Sequence, residues 1–113
     1  MTRYIITKGE RVELETMEVV VLSTAHLSKD EAQRHQREWP LSVWENREYG
    51  FFVYVADAEN AIFATMEKAE AEAKWPGLLS ALRWAASHKI EWLRFDSDGD
   101  EIDAPGLLRF NRW

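Results

Sequence analysis

The segment from Ile90 to Asp103 constrains the fold of this chain more than any other. Apolar and polar residues alternate from Ile90 to Phe95, which is the period of a β-strand with one buried face. The Asp98-Gly99 pair that follows is typical of a tight hairpin turn, because glycine tolerates positive φ. We therefore predict a strand, a hairpin turn and a returning segment over residues 101–104.

Four other segments have strand character. Tyr4 to Ile6 is short and apolar, and from Val12 to Thr16 apolar and charged residues alternate. Phe51 to Val55 is aromatic and β-branched, which favours a strand. Val19 to Leu22 is a continuous apolar run, which predicts a strand covered on both faces in the middle of a sheet.

Three helices are predicted from capping and spacing. Ser28 and Glu31 form a capping box, so a helix should run from Lys29 to about Glu38. The spacing of apolar residues predicts a second helix from about Asn60 to the Pro-Gly pair at 76–77. The third should run from about Gly77 to His88, with an apolar stripe and a cationic end.

If the alternating segment 12–16 and the apolar run that follows it are counted as one strand, the order of these elements is strand, strand, helix, strand, helix, helix, strand. This order indicates the α/β (α+β) class, with residues 1–113 as a single domain. We expect a small mixed sheet of about four to five strands with about three helices packed on it. A chain of 113 residues is long enough to bury an ordinary core without disulfides.

The composition excludes several functions. The chain has no cysteine, which rules out disulfides, thiolate metal sites and a cysteine nucleophile. Its formal net charge is -6 and its basic residues are dispersed, which argues against direct binding to nucleic acid. No apolar run approaches the ~20 residues that span a bilayer, and the first six residues show no signal-peptide h-region. We expect a cytoplasmic protein without a cofactor or membrane contact.

Five acidic residues surround the predicted hairpin turn: Asp96, Asp98, Asp100, Glu101 and Asp103. A calcium loop needs glycine at its sixth position and a distal glutamate, whereas this glycine is fourth and no such glutamate follows. Metal binding is therefore the least favoured of three interpretations. The other two are a solvated turn and an acidic surface that contacts a basic partner.

A second acidic region lies on the predicted second helix and just before it. It comprises Glu67, Glu70 and Glu72, with Asp57 and Glu59. A solvated helix face accounts for such a composition. The alternative is that this region joins the turn in one negative surface that imitates phosphate charge. Under that alternative, Glu67 and Glu70 rank next after the five turn residues as partner-binding candidates.

A hydrolytic site is a competing interpretation. Ser23, Thr24 and His26 follow a strand terminus, and Asp96 ends another predicted strand. The chain has no nucleophile elbow or oxyanion loop near these residues. Local backbone bonds for the hydroxyls, and packing or capping for His26, explain the same pattern without catalysis.

The chain has six tryptophans, a high count for its length. Tryptophan supplies a large apolar area, so most of them should fill the core. One or two, such as Trp39, Trp44 or Trp113, are candidates for exposed anchors at an interface.

Three stretches together carry a family resemblance: residues 21–27 (Val-Leu-Ser-Thr-Ala-His-Leu), residues 49–55 (Tyr-Gly-Phe-Phe-Val-Tyr-Val), and residues 92–103 with the terminal Trp113. Over roughly Met17 to Trp113, the chain resembles a family of small uncharacterised bacterial proteins common on plasmids, phages and other mobile elements. The resemblance implies no known activity or catalytic residue. It implies a setting in which small acidic proteins often inhibit host defence, as anti-CRISPR proteins do.

These observations favour a non-enzymatic accessory protein that binds a basic surface of a host protein or complex. The acidic turn would steer association, and exposed aromatic side chains would anchor the complex. A small hydrolase using Ser23, Thr24, His26 and Asp96 is the alternative enzyme, and a self-associating regulatory subunit, such as a homodimer, is the alternative assembly.

Overall fold

A computed structural model of the chain describes residues 2–7, 10–15, 19–34, 38–41, 43–46 and 50–110, with the backbone alone in 2–7, 10–15 and 43–46. The first two predicted strands are present. β1 (Thr2–Thr7) pairs antiparallel with β2 (Glu10–Glu15). They form a separate two-stranded sheet, so the expectation of one sheet for all strands is corrected.

The main sheet has four strands in the order β3-β6-β5-β4. They are β3 (Val19–Ser23), β4 (Val43–Asn46), β5 (Gly50–Tyr54) and β6 (Trp92–Asp96). β3 runs parallel to β6, and the other two pairs are antiparallel. The predicted mixed sheet and α+β class are therefore confirmed.

Four α-helices occur in the described residues: α1 (Lys29–Gln33), α2 (Ala58–Thr65), α3 (Lys68–Lys74) and α4 (Pro76–Ser87). A short 3-10 turn, Thr24–His26, links β3 to α1. The segment predicted as one helix from Asn60 is divided at Met66, whose backbone is extended. Proline at 76 begins α4 because the first helical position needs no N–H donor.

The core lies on one face of the main sheet, where the buried side chains of three strands meet those of the helices. Side-chain alternation along β6 places Leu93 and Phe95 on this face, both fully buried. Burying each such side chain contributes about 1.5–3 kcal/mol. The same core cluster includes Leu22, Val53, Ile62, Trp75, Leu78, Leu79 and Leu82.

Two strand predictions are wrong. β3 is an edge strand of the main sheet, and Val19 is 42% exposed, although the apolar run predicted a central strand. Only the carboxyl half of β3 is buried, so a run of β-branched residues does not by itself indicate cover on both faces. β4 lies in a segment for which we predicted no strand, and its four residues are too few to show a period.

Trp39, one of the candidates for an exposed anchor, is instead one of the tryptophans that fill the core. Its side chain is 5% exposed and stacks on Phe51 with ring centroids 5.2 Å apart. The indole Nε1 donates to the Arg34 carbonyl at 3.1 Å, so its polar atom is satisfied inside the core. The side chain of Trp44 and all of Trp113 lie outside the described residues.

The capping box at α1 is confirmed, and its glutamate has a second role. The Ser28 hydroxyl accepts from the Glu31 N–H at 3.2 Å, and Glu31 Oε2 accepts from the Ser28 N–H at 2.8 Å. The same carboxylate also accepts from the Gly77 N–H at 3.1 Å and the Leu78 N–H at 2.8 Å. A fully buried side chain of α1 therefore caps the amino end of α4, where the helix dipole favours negative charge.

Glycine at position 77 permits this approach. A Cβ there would lie 2.3 Å from the His26 carbonyl oxygen and 2.8 Å from Glu31 Oε2. α1 itself ends at Gln33, because Arg34 is extended, which is earlier than the predicted end at Glu38. The predicted residues 35–37 lie outside the described residues.

We predict that Glu31→Gln lowers the free energy of unfolding by about 2–4 kcal/mol. The NH2 group of glutamine would face a backbone N–H that now donates to the carboxylate, so two donors would meet. Ser28→Ala should cost about 1 kcal/mol, since it removes one capping bond only. Urea unfolding of both variants measures the difference. If Glu31→Gln left the chain as stable as the native protein, the capping role of Glu31 would be contradicted.

Candidate functional site

The acidic turn lies at the carboxyl end of β6. The Gly99 N–H donates to the Asp96 carbonyl at 2.9 Å, which closes a tight turn with Ser97 and Asp98 at its centre, one residue earlier than the predicted Asp98-Gly99 turn. The Asp98 N–H donates to Asp96 Oδ1 at 3.0 Å, so the first aspartate also holds the turn through its side chain. The turn therefore has a defined backbone on which the carboxylates are mounted.

The predicted hairpin does not continue from this turn. Residues 101–104 form no strand, and Asp100 bridges to Leu22 of β3 in a parallel arrangement. The Ser23 N–H donates to the Asp100 carbonyl at 2.9 Å. Gly99 is needed for space and not for a positive φ, because a Cβ there would lie 2.6 Å from the Leu22 carbonyl. The turn thus packs against the exit of β3.

The carboxylates of the acidic turn differ in exposure. Asp96 is half-buried and its Oδ2 lies 3.4 Å from an Arg94 guanidinium nitrogen. The other predicted turn residues are solvent exposed: Asp98, Asp100, Glu101 and Asp103. The structure therefore brings the five predicted residues into one short surface segment with Arg94 at its inner end.

The second acidic region has cationic partners on the helices. Glu70 is exposed and lies 2.9 Å from Lys74, one turn further along α3. Arg83 of α4 lies 3.0 Å from Glu59 and 3.7 Å from Glu72. Glu67 is exposed and immediately precedes α3. Exposed pairs of this kind stabilise little, but they reduce the net negative charge of this region.

His26 is fully buried, and both of its ring nitrogens bond to backbone. Nε2 accepts from the Ile102 N–H at 3.0 Å, so the proton must be on Nδ1, which donates to the Leu108 carbonyl at 2.8 Å. His26 therefore fixes both ends of the segment 102–108. Sequence reasoning identified the residue but not this role, because its partners are backbone atoms more than 70 positions away.

Residues 100–110 are here called the C-terminal strap. This segment lies beside the exit of β3. A turn closed by the Leu107 N–H and the Ala104 carbonyl at 3.1 Å lies within it, with proline second and Gly106, at φ 81, third. The Leu108 N–H donates to Ser80 Oγ at 3.1 Å, and the Phe110 N–H donates to the Ala25 carbonyl at 2.6 Å. The strap thus joins β3, the 3-10 turn and α4.

Three of the four residues of the hydrolase interpretation, Ser23, His26 and Asp96, have other partners. Ser23 is 1% exposed, and its hydroxyl accepts from the Ala25 N–H at 3.0 Å. Asp96 stands beside Ser23 in the strand register, but its carboxylate bonds to the Asp98 N–H and lies near Arg94. A general base needs a ring nitrogen facing a hydroxyl, whereas both nitrogens of His26 face backbone groups of the strap.

An open groove lies between α4 and the strap. Two adjoining hollows of about 310 Å³ and about 530 Å³ share Ser80, Arg83 and Gly106. Ser80 Oγ donates to the Gly77 carbonyl and accepts from the Leu108 N–H, and Arg83 pairs with two glutamates. Ser80 and Arg83, which line both hollows, are thus engaged within the chain.

Two further features bear on the chemistry. Within the described part of the chain, no group of three or more histidine, cysteine, aspartate or glutamate side chains is arranged to hold a metal ion. None of the described helices is both long enough and apolar enough to cross a membrane.

The site defines a small α+β protein whose acidic turn is fixed to the carboxyl edge of a mixed sheet. Residues 19–106 match the C-terminal domain of a family of unknown function, DUF5983, and the chain therefore belongs to this family. Comparison with curated proteins and with solved structures gave no match. The resemblance to an uncharacterised family is confirmed to that extent.

Gly99→Ala should destabilise the turn, because the new Cβ meets backbone atoms of Leu22 that cannot move alone. We expect a loss of about 1–3 kcal/mol of stability and faster hydrogen exchange at the Ser23 amide. Ser97→Ala, an exposed change in the same turn, is the control. Unchanged exchange at Ser23 in the Gly99→Ala variant would show that the turn does not depend on this contact.

The hydrogen-bond partners of His26 predict its tautomer. At neutral pH, ¹⁵N-resolved NMR should show a neutral ring protonated at Nδ1, which is the minor form in free histidine. His88, an exposed residue at the end of α4, serves as the internal reference. A ring protonated at Nε2 would be incompatible with the bond from Ile102.

Proposed function

We propose that the protein is a non-enzymatic accessory protein that binds a basic surface of another protein through its acidic turn. The observation that carries this proposal is the geometry of the turn. Its exposed carboxylates are mounted on a backbone anchored to β3 by Asp100 and by the close contact of Gly99 with Leu22. A rigid cluster of like charges steers a partner of opposite charge and loses less conformational entropy on binding than a mobile one.

The candidate residues fall into two groups on this proposal. Asp98, Asp100, Glu101 and Asp103 contact or steer the partner, while Asp96 mainly holds the turn. Glu67 and Glu70 extend the negative field, and the pairing of Glu70 with Lys74 makes their contribution smaller.

The setting implied by the family resemblance gives the proposal its biological form. A mobile-element protein of this charge would dock on a basic host surface, of the kind that nucleic-acid-handling defence complexes such as CRISPR effectors present. The negative charge would then compete with nucleic acid for the same surface, without binding nucleic acid itself.

The test begins with affinity capture of host proteins, identified by mass spectrometry. The double variant Asp98→Lys, Asp103→Lys should then associate about tenfold more slowly with the captured partner at low salt, because steering has been reversed. The salt dependence of the association rate should flatten. Both side chains are exposed, so folding should be preserved.

Glu91→Lys is the control for the single variant Asp98→Lys, because each replaces one acidic residue by lysine, and the two are compared at physiological salt. Glu91 is exposed at the opposite end of β6, about 17 Å from Asp96 at the rise of a strand, which exceeds the screening length in physiological salt. It should leave the association rate nearly unchanged. Equal rates for the native chain and the double variant at every salt concentration would refute the proposal.

A further inference from the structure

The face of the main sheet opposite the core carries a set of aromatic side chains. Alternation along the paired strands places these residues on it, here called the outer face: Val19, Val21, Phe52, Tyr54, Trp92, Arg94 and Asp96. Tyr54 is 49% exposed and Val19 is 42% exposed. These two exposed side chains flank the half-buried Trp92 in the register, and apolar residues gathered at the surface in this way often mark an interaction site.

Each aromatic ring of the outer face packs against a neighbouring side chain. The rings of Tyr54 and Trp92, which are opposite each other in the register, have centroids 5.0 Å apart. Phe52 is opposite Arg94, whose guanidinium carbon lies 5.8 Å from the centre of the Phe52 ring. The face therefore presents aromatic surface from side chains that are already packed, which lowers the entropy cost of binding.

The outer face is continuous with the acidic turn. Trp92, Arg94 and Asp96 follow one another on the same side of β6, and the Arg94–Asp96 pair at 3.4 Å confirms that these two share it. The exposed Asp98 comes next in the turn. An apolar centre bordered on one side by carboxylates has the make-up of a protein interface, with an acidic rim.

Arg94 shows which chemistry this face accommodates. Its guanidinium lies over an aromatic ring and beside a carboxylate at the same time. Planar guanidinium groups stack on aromatic rings and pair with carboxylates better than ammonium groups do. The Tyr54–Trp92 pair and the carboxylates of the turn offer the same two kinds of contact, separated by about 13 Å along β6.

We propose that the outer face binds an extended arginine-containing segment of the partner protein, with guanidinium groups on the Tyr54–Trp92 pair and at the carboxylates of the turn. This inference rests on the proposed function and identifies the chemistry of the partner. Single-stranded nucleic acid also stacks on aromatic sheet faces, but Asp96 and Asp98 would repel its phosphates. A second copy of the chain carries the same formal net charge of -6, so two copies repel one another.

The test uses fluorescence anisotropy with a labelled twelve-residue peptide of alternating glycine and arginine. The native chain should bind it more tightly than the matched glycine-lysine peptide. Tyr54→Ser should weaken binding about tenfold, because it removes the exposed ring, and Tyr54→Phe should stay within about twofold. Leu108→Ser, at an apolar residue of the strap that is 44% exposed, is the control and should bind normally.

Val19→Lys gives a second variant on the same face, in case the tyrosine change affects folding. It places a positive charge beside Trp92 in the register and should weaken the arginine peptide by repulsion. Native-like binding by both Tyr54→Ser and Val19→Lys would overturn the inference. An equal loss in Leu108→Ser would also overturn it.

Two further measurements examine the other occupants. Tighter binding of a twelve-nucleotide oligo-dT than of the arginine peptide would assign the face to nucleic acid and overturn the inference. Sedimentation showing a native dimer that Tyr54→Ser dissociates would assign the face to a second copy, which also overturns it. If Asp98→Lys with Asp103→Lys slows peptide association while neither Tyr54→Ser nor Val19→Lys has an effect, the proposed function stands and this inference falls.

Discussion

The exit of β3 is tied to the C-terminal strap by hydrogen bonds, and the position of the acidic turn depends on them. Ser23 donates to Asp100, and His26 bonds at one nitrogen to Ile102 and at the other to Leu108. These contacts join parts of the chain that are more than 70 residues apart. Because buried polar groups without partners are costly, the buried imidazole favours one conformation of the strap over others.

Glu31 plays a comparable part for the helices. Its buried carboxylate accepts hydrogen bonds from N–H groups at the amino ends of two helices. If α1 and α4 moved apart, the carboxylate and the first N–H groups of α4 would lose these bonds, which is costly. The hydrogen bonds of Glu31 and His26 explain why these two polar side chains are buried after β3. They are structural polar groups, and the exposed chemistry of the molecule lies in the acidic turn and on the outer face of the sheet.

Much of the local structure was predictable from the sequence. The strand before the acidic turn, the capping box at Ser28, the helix after Pro76 and the tight turn at Gly99 all follow from patterns within a few residues. The clustering of the acidic turn residues was predictable for the same reason, since they are neighbours in the chain. The capping-box pattern identified Glu31 as a cap of its own helix, but no local pattern indicated that it also caps α4.

The sequence alone determined the class of fold, the kinds of element and the acidic character of the turn, because propensity, periodicity and charge are local properties. Only the tertiary structure decided that β3 lies at an edge, that Trp39 is buried, and that the turn leads into a strap and not a returning strand. It also decided that His26 is a structural residue. The physical reason is that strand order, burial and backbone partners depend on contacts between distant segments, which no local pattern specifies.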